Sequence, residues 1–280
     1  MPNNELGLNE YKQKIASLYD RRSDNYDDGE WRKQICDRLL NYSQVDLGQK
    51  ILDIGTGTGK IALDAAQIVA DTGKVIGIDI SAQMLAQARN KANLAKLDNV
   101  EFQLADAESL NYPVAYFERI LCANTFPWIE NKIATLSLWH SLLKSNGRIA
   151  VHTPGDKAYI GAVVLRKVLG KHEITMEASN RIGSPEECLD LFDRAGFKEI
   201  ELKTEQHGSY ISLDNAKATW SWVITNPSPI SLKVDRQELA KSSSKLPEIK
   251  AEFEAELEAL VSAAGIWDEI ATWYVLGRKA

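Results

Sequence analysis

Apolar and polar positions follow two rhythms along this chain. Short β-branched and aliphatic runs occur at 50–54 (KILDI), 74–79 (KVIGID), 100–104 (VEFQL), 118–123 (ERILCA) and 147–153 (GRIAVHT). Runs of this length between turn signals predict strands. Stretches of helical length lie between them, at 59–71, 81–95 and 131–144. Strands alternating with helices of this size predict βαβ units around a parallel sheet. Right-handed crossovers then place helices on both faces.

The rhythm differs on either side of this block. Residues 1–45 are polar and aromatic-rich, with YDRRSDNYDDGEW at 19–31, and predict one or two helices ahead of the first strand. After 155, a helix is expected at 157–170. Another is expected at 184–196, where Ser184 is an N-cap, Pro185 the first helical position, Glu187 lies three past the cap and Gly196 stands just beyond the end. A strand is expected at 198–204. The stretch 209–246 holds Trp220, Trp222, Pro227 and Pro229. It leads to an acidic helix at 247–264 with Ile249, Phe253, Leu257 and Leu260 at helical spacing and its acids on a solvated face. A last strand is expected at 267–279, so the 210–264 piece reads as inserted before it.

Composition narrows the function classes more than the fold. The 280 residues suffice for one large or two small domains. Lys and Arg number 33 against 39 Asp and Glu, a net charge of −6. That lacks the positive field on which nucleic-acid binding rests. No apolar run approaches the roughly 18 residues of a bilayer span, and the N-terminus lacks a secretory pattern. Cys36, Cys122 and Cys188 are scattered and odd in number. Neither disulfides nor a metal site is expected, and the cytoplasm is the expected compartment.

The most informative segment is Ile51-Leu-Asp-Ile-Gly-Thr-Gly-Thr-Gly-Lys60. A buried strand runs into Asp53, then Gly55, Gly57 and Gly59, then a helix. Glycines at the carboxyl end of a first strand let the backbone press against a ligand. The dinucleotide fingerprint needs a glycine where Lys60 stands, and the P-loop needs Ser or Thr where Ile61 stands. Asp53 also repels phosphate and suits a ligand with a cationic amine. Asp79 ends the second strand, where an acid can accept both ribose hydroxyls. Asp106 follows the third strand and can accept from an exocyclic amine such as that of adenine. Three acids at three successive strand ends suit a ligand with an amine, a ribose and an adenine, and no phosphate.

These segments resemble the class I S-adenosylmethionine-dependent methyltransferases. ILDIGTGTGK is similar to the cofactor loop, VIGIDIS to the ribose-binding strand and FQLADAESL to the adenine-binding strand. RILCANTFPWIEN resembles the substrate-facing fourth strand, and SLLKSNGRIAVHTPG the fifth strand with its lead-in. The likeness is specific over 50–155. It leans toward the small-molecule branch (methyltransferase type 11-like) of the ubiquinone and menaquinone C-methyltransferases, whose N-terminal cover the spaced Tyr19-Asp20 and Tyr26-Asp27 resemble. The resemblance implies S-adenosylmethionine as cofactor and S-adenosylhomocysteine as product. It implies an α/β fold: a Rossmann-like, doubly wound, mostly parallel seven-stranded sheet. The N-terminal helical cover would be 1–45, the core 46–209 and 265–280, and a helical insert or substrate lid 210–264. Implied cofactor contacts are Tyr19, Tyr26, Asp53, Gly55, Thr56, Gly57, Gly59, Asp79, Ile80, Met84, Asp106, Ala107 and Asn124. The expected partner is a small-molecule acceptor, with no nucleic acid or membrane, and the expected state a monomer or homodimer.

Other candidates are weighed on position. Asn124-Thr-Phe-Pro127-Trp128 has the wrong spacing for the loop of methyltransferases acting on base amines. Trp128, Trp220 and Trp222 are candidate substrate walls, with core packing as the alternative. His152, at the carboxyl end of the fifth strand, and His207, near the insert, are the candidate general bases. His140 reads as structural and His172 as a solvated loop residue. Two rival readings use the same cofactor: regulatory binding without transfer, and a non-methylating reaction such as decarboxylation or cyclisation.

Overall fold

A computed structural model describes residues 6–28, 30–155, 158–177, 184–225 and 233–280. Residues 1–5 of the expected cover, Lys157 of the expected 157–170 helix, Pro227 and Pro229 lie outside the described residues.

Two helices precede the sheet: α1 (Glu10–Asp20), capped by the Asn9 side chain, and α2 (Glu30–Ser43). The sheet begins with β1 (Lys50–Ile54), β2 (Lys74–Asp79), β3 (Val100–Leu104) and β4 (Phe117–Ala123). Between them run α3 (Lys60–Val69) and α4 (Ala82–Ala95). Then come α5 (Lys132–Leu142), β5 (Leu143–Pro154), α6 (Ile160–Lys171) and the short β6 (Met176–Glu177). The chain continues with α7 (Pro185–Arg194), β7 (Lys198–Ile211), α8 (Leu213–Trp220), β8 (Lys233–Val234), α9 (Arg236–Lys241), α10 (Leu246–Glu258) and β9 (Ile266–Arg278). Seven strands form one sheet in the order β3-β2-β1-β4-β5-β9-β7, and β1–β2, β1–β4, β2–β3 and β4–β5 pair parallel.

The connection reverses direction between β1 and β4, so the loops at their carboxyl ends diverge and leave a crevice. Ile51, Leu52 and Ile54 are fully buried because helices cover both faces. One face packs on α2, α3 and α4 through Ile35, Leu39, Ile61, Ala65, Val69, Leu85 and Ala88. Small residues on α3 let it lie close to the sheet.

Two strands run longer than their apolar patterns. β5 starts at Leu143, which pairs with Phe117 across a register shift, and β7 runs on to Ile211. Between Leu143 and Arg148 the pairing with β4 is interrupted, and Asn146, at φ +65°, lies in this irregular stretch.

The chain divides into two compact units. The first is Met1–Thr153, Ser184–Thr204 and Trp273–Ala280; the second is Pro154–Gly183 and Glu205–Thr272. The second is larger than the expected 210–264 insert because α6 joins it. Leu165, Val168 and Leu169 share a core with Trp220, Ile249, Phe253 and Leu257. The acids of α10 are not simply solvated. Glu256 meets Lys167 at 2.8 Å, Glu252 meets Lys171 at 2.6 Å, and Glu258 meets Lys217 at 2.7 Å. Glu252 also lies 2.8 Å from His172, so this histidine is partnered rather than free in solvent. Leu260 falls beyond the end of α10 and is exposed, so the apolar stripe is one residue shorter than its spacing suggests. Among the described residues, no helix is long and apolar enough to cross a membrane.

Candidate functional site

The loop after β1 is shaped by steric demands on its glycines. Gly55 has φ +66°, and a Cβ there would sit 1.8 Å from Thr125 Oγ1 and 2.6 Å from Thr125 Cβ. Only glycine lets the β1 and β4 loops cross this closely. Gly59, at φ +90°, caps α3, and a Cβ there would press on Ala88 and Phe102. Thr56 N–H donates to the Ile78 carbonyl at 2.9 Å, and Gly57 N–H donates to Asp79 Oδ2 at 2.9 Å. The loop is therefore tied to β2 at two points.

The three acids differ in setting. Asp53 is buried, and its Oδ2 accepts from the Thr56 hydroxyl at 2.6 Å. Its Oδ1 makes no hydrogen bond among the described residues. Burial pushes the Asp53 carboxyl up to about 7; the Thr56 hydroxyl and Ala62 amide offset part of this, and Asp79 adds to it. Asp79 accepts from the amides of Gly57 and Ser81 and is raised to about 6, again chiefly by burial. Asp106 accepts from its own turn at Glu108 N–H, and its Oδ2 takes the Lys12 ammonium at 2.7 Å. Lys12 also meets Glu108 at 3.4 Å. Burial works against the Lys12 charge, but the two acids outweigh it and hold the ammonium above its usual range.

These groups surround two adjoining cavities in the first unit. The first is lined by Tyr19, Tyr26, Gly55, Gly57, Asp79 and Ile80, and by Asp106, Ala107, Asn124 and Trp128. The second takes Asp53 and Thr56. Tyr26, Gly55, Gly57, Ala123 and Asn124 border both. Asn124 has φ +57°, which turns the chain sharply out of β4. Tyr19 packs edge-on to Tyr26 at 6.0 Å and to Trp128 at 6.2 Å, forming an aromatic wall.

Several expected residues lie elsewhere. Met84 is fully buried and lines neither cavity; its amide is held by the Ser81 hydroxyl at the start of α4. Gly59 lines neither cavity and serves the packing of the loop on α4. His152 is fully buried, its ring 5.0 Å from Tyr274, and it borders neither cavity. His207 belongs to the second unit, buried, 3.5 Å from Glu205. Trp220 sits in that unit's core, 6.0 Å from Phe253, while Trp222 is exposed. Of the three tryptophans expected at the substrate, only Trp128 lines the described cavities. His140 packs on Phe197 at 4.9 Å, as a structural residue.

Other residues were not legible as site residues. Lys12 and Ile15 of α1 line the first cavity, as do Thr125 and Ile129. Trp139, on α5, donates its indole N–H to the Ala107 carbonyl at 2.9 Å and so anchors the loop carrying Asp106. Helical periodicity marks Trp139 as apolar but says nothing of this bond.

The donor set fits S-adenosylmethionine. A buried carboxylate oxygen without a partner suits a cationic amine, Asp79 suits a ribose, and Asp106 suits an exocyclic amine.

Comparison with known proteins agrees. The methyltransferase domain family matches residues 46–211. The chain is 30% identical over 150 residues to aklanonic acid methyltransferase DauC of Streptomyces sp. (strain C5), covering 53% of this chain and 68% of that protein. It is 31% identical over 142 residues to the ubiquinone/menaquinone biosynthesis C-methyltransferase UbiE of Coxiella burnetii, covering 50% of this chain and 56% of that protein. Among solved structures, phosphoethanolamine N-methyltransferase 2 of Haemonchus contortus, in complex with S-adenosyl-L-methionine, shares the fold. Its TM-score is 0.59 at 17% identity, over 98% of this chain and 60% of that one.

Proposed function

Since this chain belongs to the methyltransferase-domain family and uses S-adenosylmethionine, we propose that it methylates a small, partly apolar metabolite or natural product by in-line displacement. The observation that carries this reading is the convergence of Gly55, Asp79 and Asp106 on one cavity beside the buried, half-partnered Asp53. The sulfonium of S-adenosylmethionine, when bound, supplies an already activated methyl group. The residues of this chain then have three tasks. Asp53, Asp79 and Asp106 hold the polar ends of the cofactor. The positive-φ turn at Gly55 and the contact with Thr125 set the loop against it. Tyr19, Tyr26, Trp128, Ile15 and Ile129 form apolar walls that exclude water and align an acceptor.

The acceptor class is supported by those aromatic walls and by the likeness to methyltransferases whose names include aklanonic acid, ubiquinone and menaquinone. The cytoplasm as compartment is supported by three free cysteines. The acidic balance supports an acceptor other than nucleic acid.

Titration calorimetry with S-adenosylhomocysteine tests the cofactor site. Asp79→Ala is expected to weaken binding by roughly 100-fold, the loss of charge-assisted hydrogen bonds to hydroxyls. Wild-type protein that fails to bind, or a variant that binds as wild type, would refute the site. Product mass tests the reaction: a gain of one methyl on the acceptor supports transfer, and an unchanged acceptor mass supports cyclisation.

A further inference from the structure

The second cavity carries positive charge that the cofactor contacts above do not use. Arg32, Lys33, Lys60 and Lys91 border it. Lys60 is held by Asp37 at 3.0 Å and by Asp64, and Lys91 by Asp27. Lys33 is exposed, on the outer face of α2. Arg32 is half-buried and makes no ion pair within 4 Å among the described residues. Asp27, within electrostatic reach of it, is already taken by Lys91 and by the Thr58 hydroxyl.

The guanidinium is oriented nonetheless. It lies 4.5 Å from the Trp31 ring centre and 4.9 Å from that of Tyr26, and one N–H donates to the Asp28 carbonyl at 2.9 Å. Tyr26 in turn sits on the glycine loop: a Cβ at Gly57 would be 3.5 Å from its Cε1. Tyr26, Gly55 and Gly57 border both cavities, so a ligand whose nucleoside occupies the first has its remaining chain directed past them into the second. There it meets one anion with an unused oxygen, Asp53, and one oriented cation that makes no ion pair among the described residues, Arg32. An amino acid end, with an ammonium and a carboxylate on one carbon, complements that pair.

We propose that Arg32 is a specificity-determining residue that binds the α-carboxylate of the cofactor's amino-acid end, opposite Asp53, which takes its ammonium. The proposal rests on the cofactor reading above and adds the residue that distinguishes the complete amino-acid end from a truncated one. A guanidinium meets a carboxylate with two parallel hydrogen bonds, so the contact selects for that group and not for charge alone.

Calorimetry with three ligands tests it. The ligands are S-adenosylhomocysteine, its decarboxylated analogue, which keeps the ammonium, and 5′-methylthioadenosine, which lacks the amino-acid end. Arg32→Met is expected to weaken S-adenosylhomocysteine binding by roughly 30-fold, the loss of a charge-assisted pair. Binding of the other two should stay within about twofold of wild type, and Arg32→Lys should recover part of the loss. Equal weakening of all three ligands would mean that Arg32 only props Tyr26, and would overturn the proposal, as would an unchanged S-adenosylhomocysteine affinity. Wild-type protein that binds none of the three would overturn the cofactor reading and the proposal with it. Wild-type binding with no effect of Arg32→Met overturns the proposal alone.

Discussion

Gly55→Ala is expected to destabilise the protein by about 3 kcal/mol and to eliminate S-adenosylhomocysteine binding. Two effects add. The residue has φ +66°, which costs an L-residue roughly 1 kcal/mol or more. Its new methyl would also lie 1.8 Å from Thr125 Oγ1 and 2.6 Å from Thr125 Cβ. Threonine is stiff and branched at Cβ, so no rotamer clears the overlap, and the loops after β1 and β4 must separate. Those loops carry Gly57 on one side and Asn124 on the other, so the cofactor walls move apart with them. A fall in thermal midpoint of roughly 6–12 °C follows at this chain length. The double variant Gly55→Ala/Thr125→Gly removes the overlapping oxygen and methyls while keeping the φ strain. Gly55→Ala should cost less in the Thr125→Gly background than in wild type, a favourable coupling of about 1 kcal/mol or more. A Gly55→Ala protein that melts with wild type and binds the ligand would show that the close crossing of these loops does not govern the site.

Asp53→Asn should act in opposite directions on stability and binding. The folded carboxyl has a pKa of about 7 against an ordinary 3.8, so the folded state holds a proton that the unfolded chain gives up. Stability from this group is present below pH 4 and is lost as pH rises through 7. Three pKa units correspond to about 4 kcal/mol lost by pH 8, an upper bound. Asparagine keeps the shape and cannot ionise, but its amide leaves a buried N–H to satisfy, at a cost of about 2 kcal/mol. Ligand-free Asp53→Asn is therefore expected to be about 2 kcal/mol more stable than wild type at pH 8 and no more stable at pH 4. Binding runs the other way. A cationic amine favours the ionised carboxylate, so wild-type affinity for S-adenosylhomocysteine should rise from pH 5.5 to pH 8. Asp79, raised to about 6, adds to this trend in its lower part. Binding near pH 6.5 should release protons, which calorimetry in buffers of different ionisation enthalpy measures directly. The Asp53→Asn variant should bind roughly 30-fold more weakly at pH 8 and show a flatter pH profile. A variant less stable than wild type at pH 8, or one with an unchanged pH profile, would contradict this account. Such a site trades stability of the empty protein for affinity, as function-bearing sites often do.

Much of the first unit was readable from the chain. Lys50–Ile54, Lys74–Asp79 and Val100–Leu104 are strands with the bounds their apolar runs predict. Ser184, Pro185 and Glu187 open α7 in the positions their capping pattern predicts. Both signals are local: burial of a strand on two faces and satisfaction of helix-end amides depend on neighbours in sequence. The acids at the ends of β1, β2 and after β3 were readable for the same reason, since each stands at a fixed offset from its strand.

The second unit was harder to read. Its core joins residues on α6 to Trp220 and Phe253, and no local period ties segments some 50 to 90 positions apart. The tryptophans show the limit most clearly. Trp128, Trp139, Trp220 and Trp222 are alike as residues. One lines a cavity, one anchors a loop, one fills a core and one faces solvent.

The sequence by itself determined the parallel sheet, the glycine turn and the three strand-end acids, because strand burial, positive φ and end-of-strand position are properties of short segments. Only the tertiary structure decided that Thr125 sits under Gly55, that Lys12 reaches Asp106, that Asp53 keeps a bare oxygen while Asp79 does not, and that Arg32 makes no ion pair among the described residues. Those are contacts between segments tens of residues apart, and their electrostatics depend on burial that arises only when the chain has closed around them.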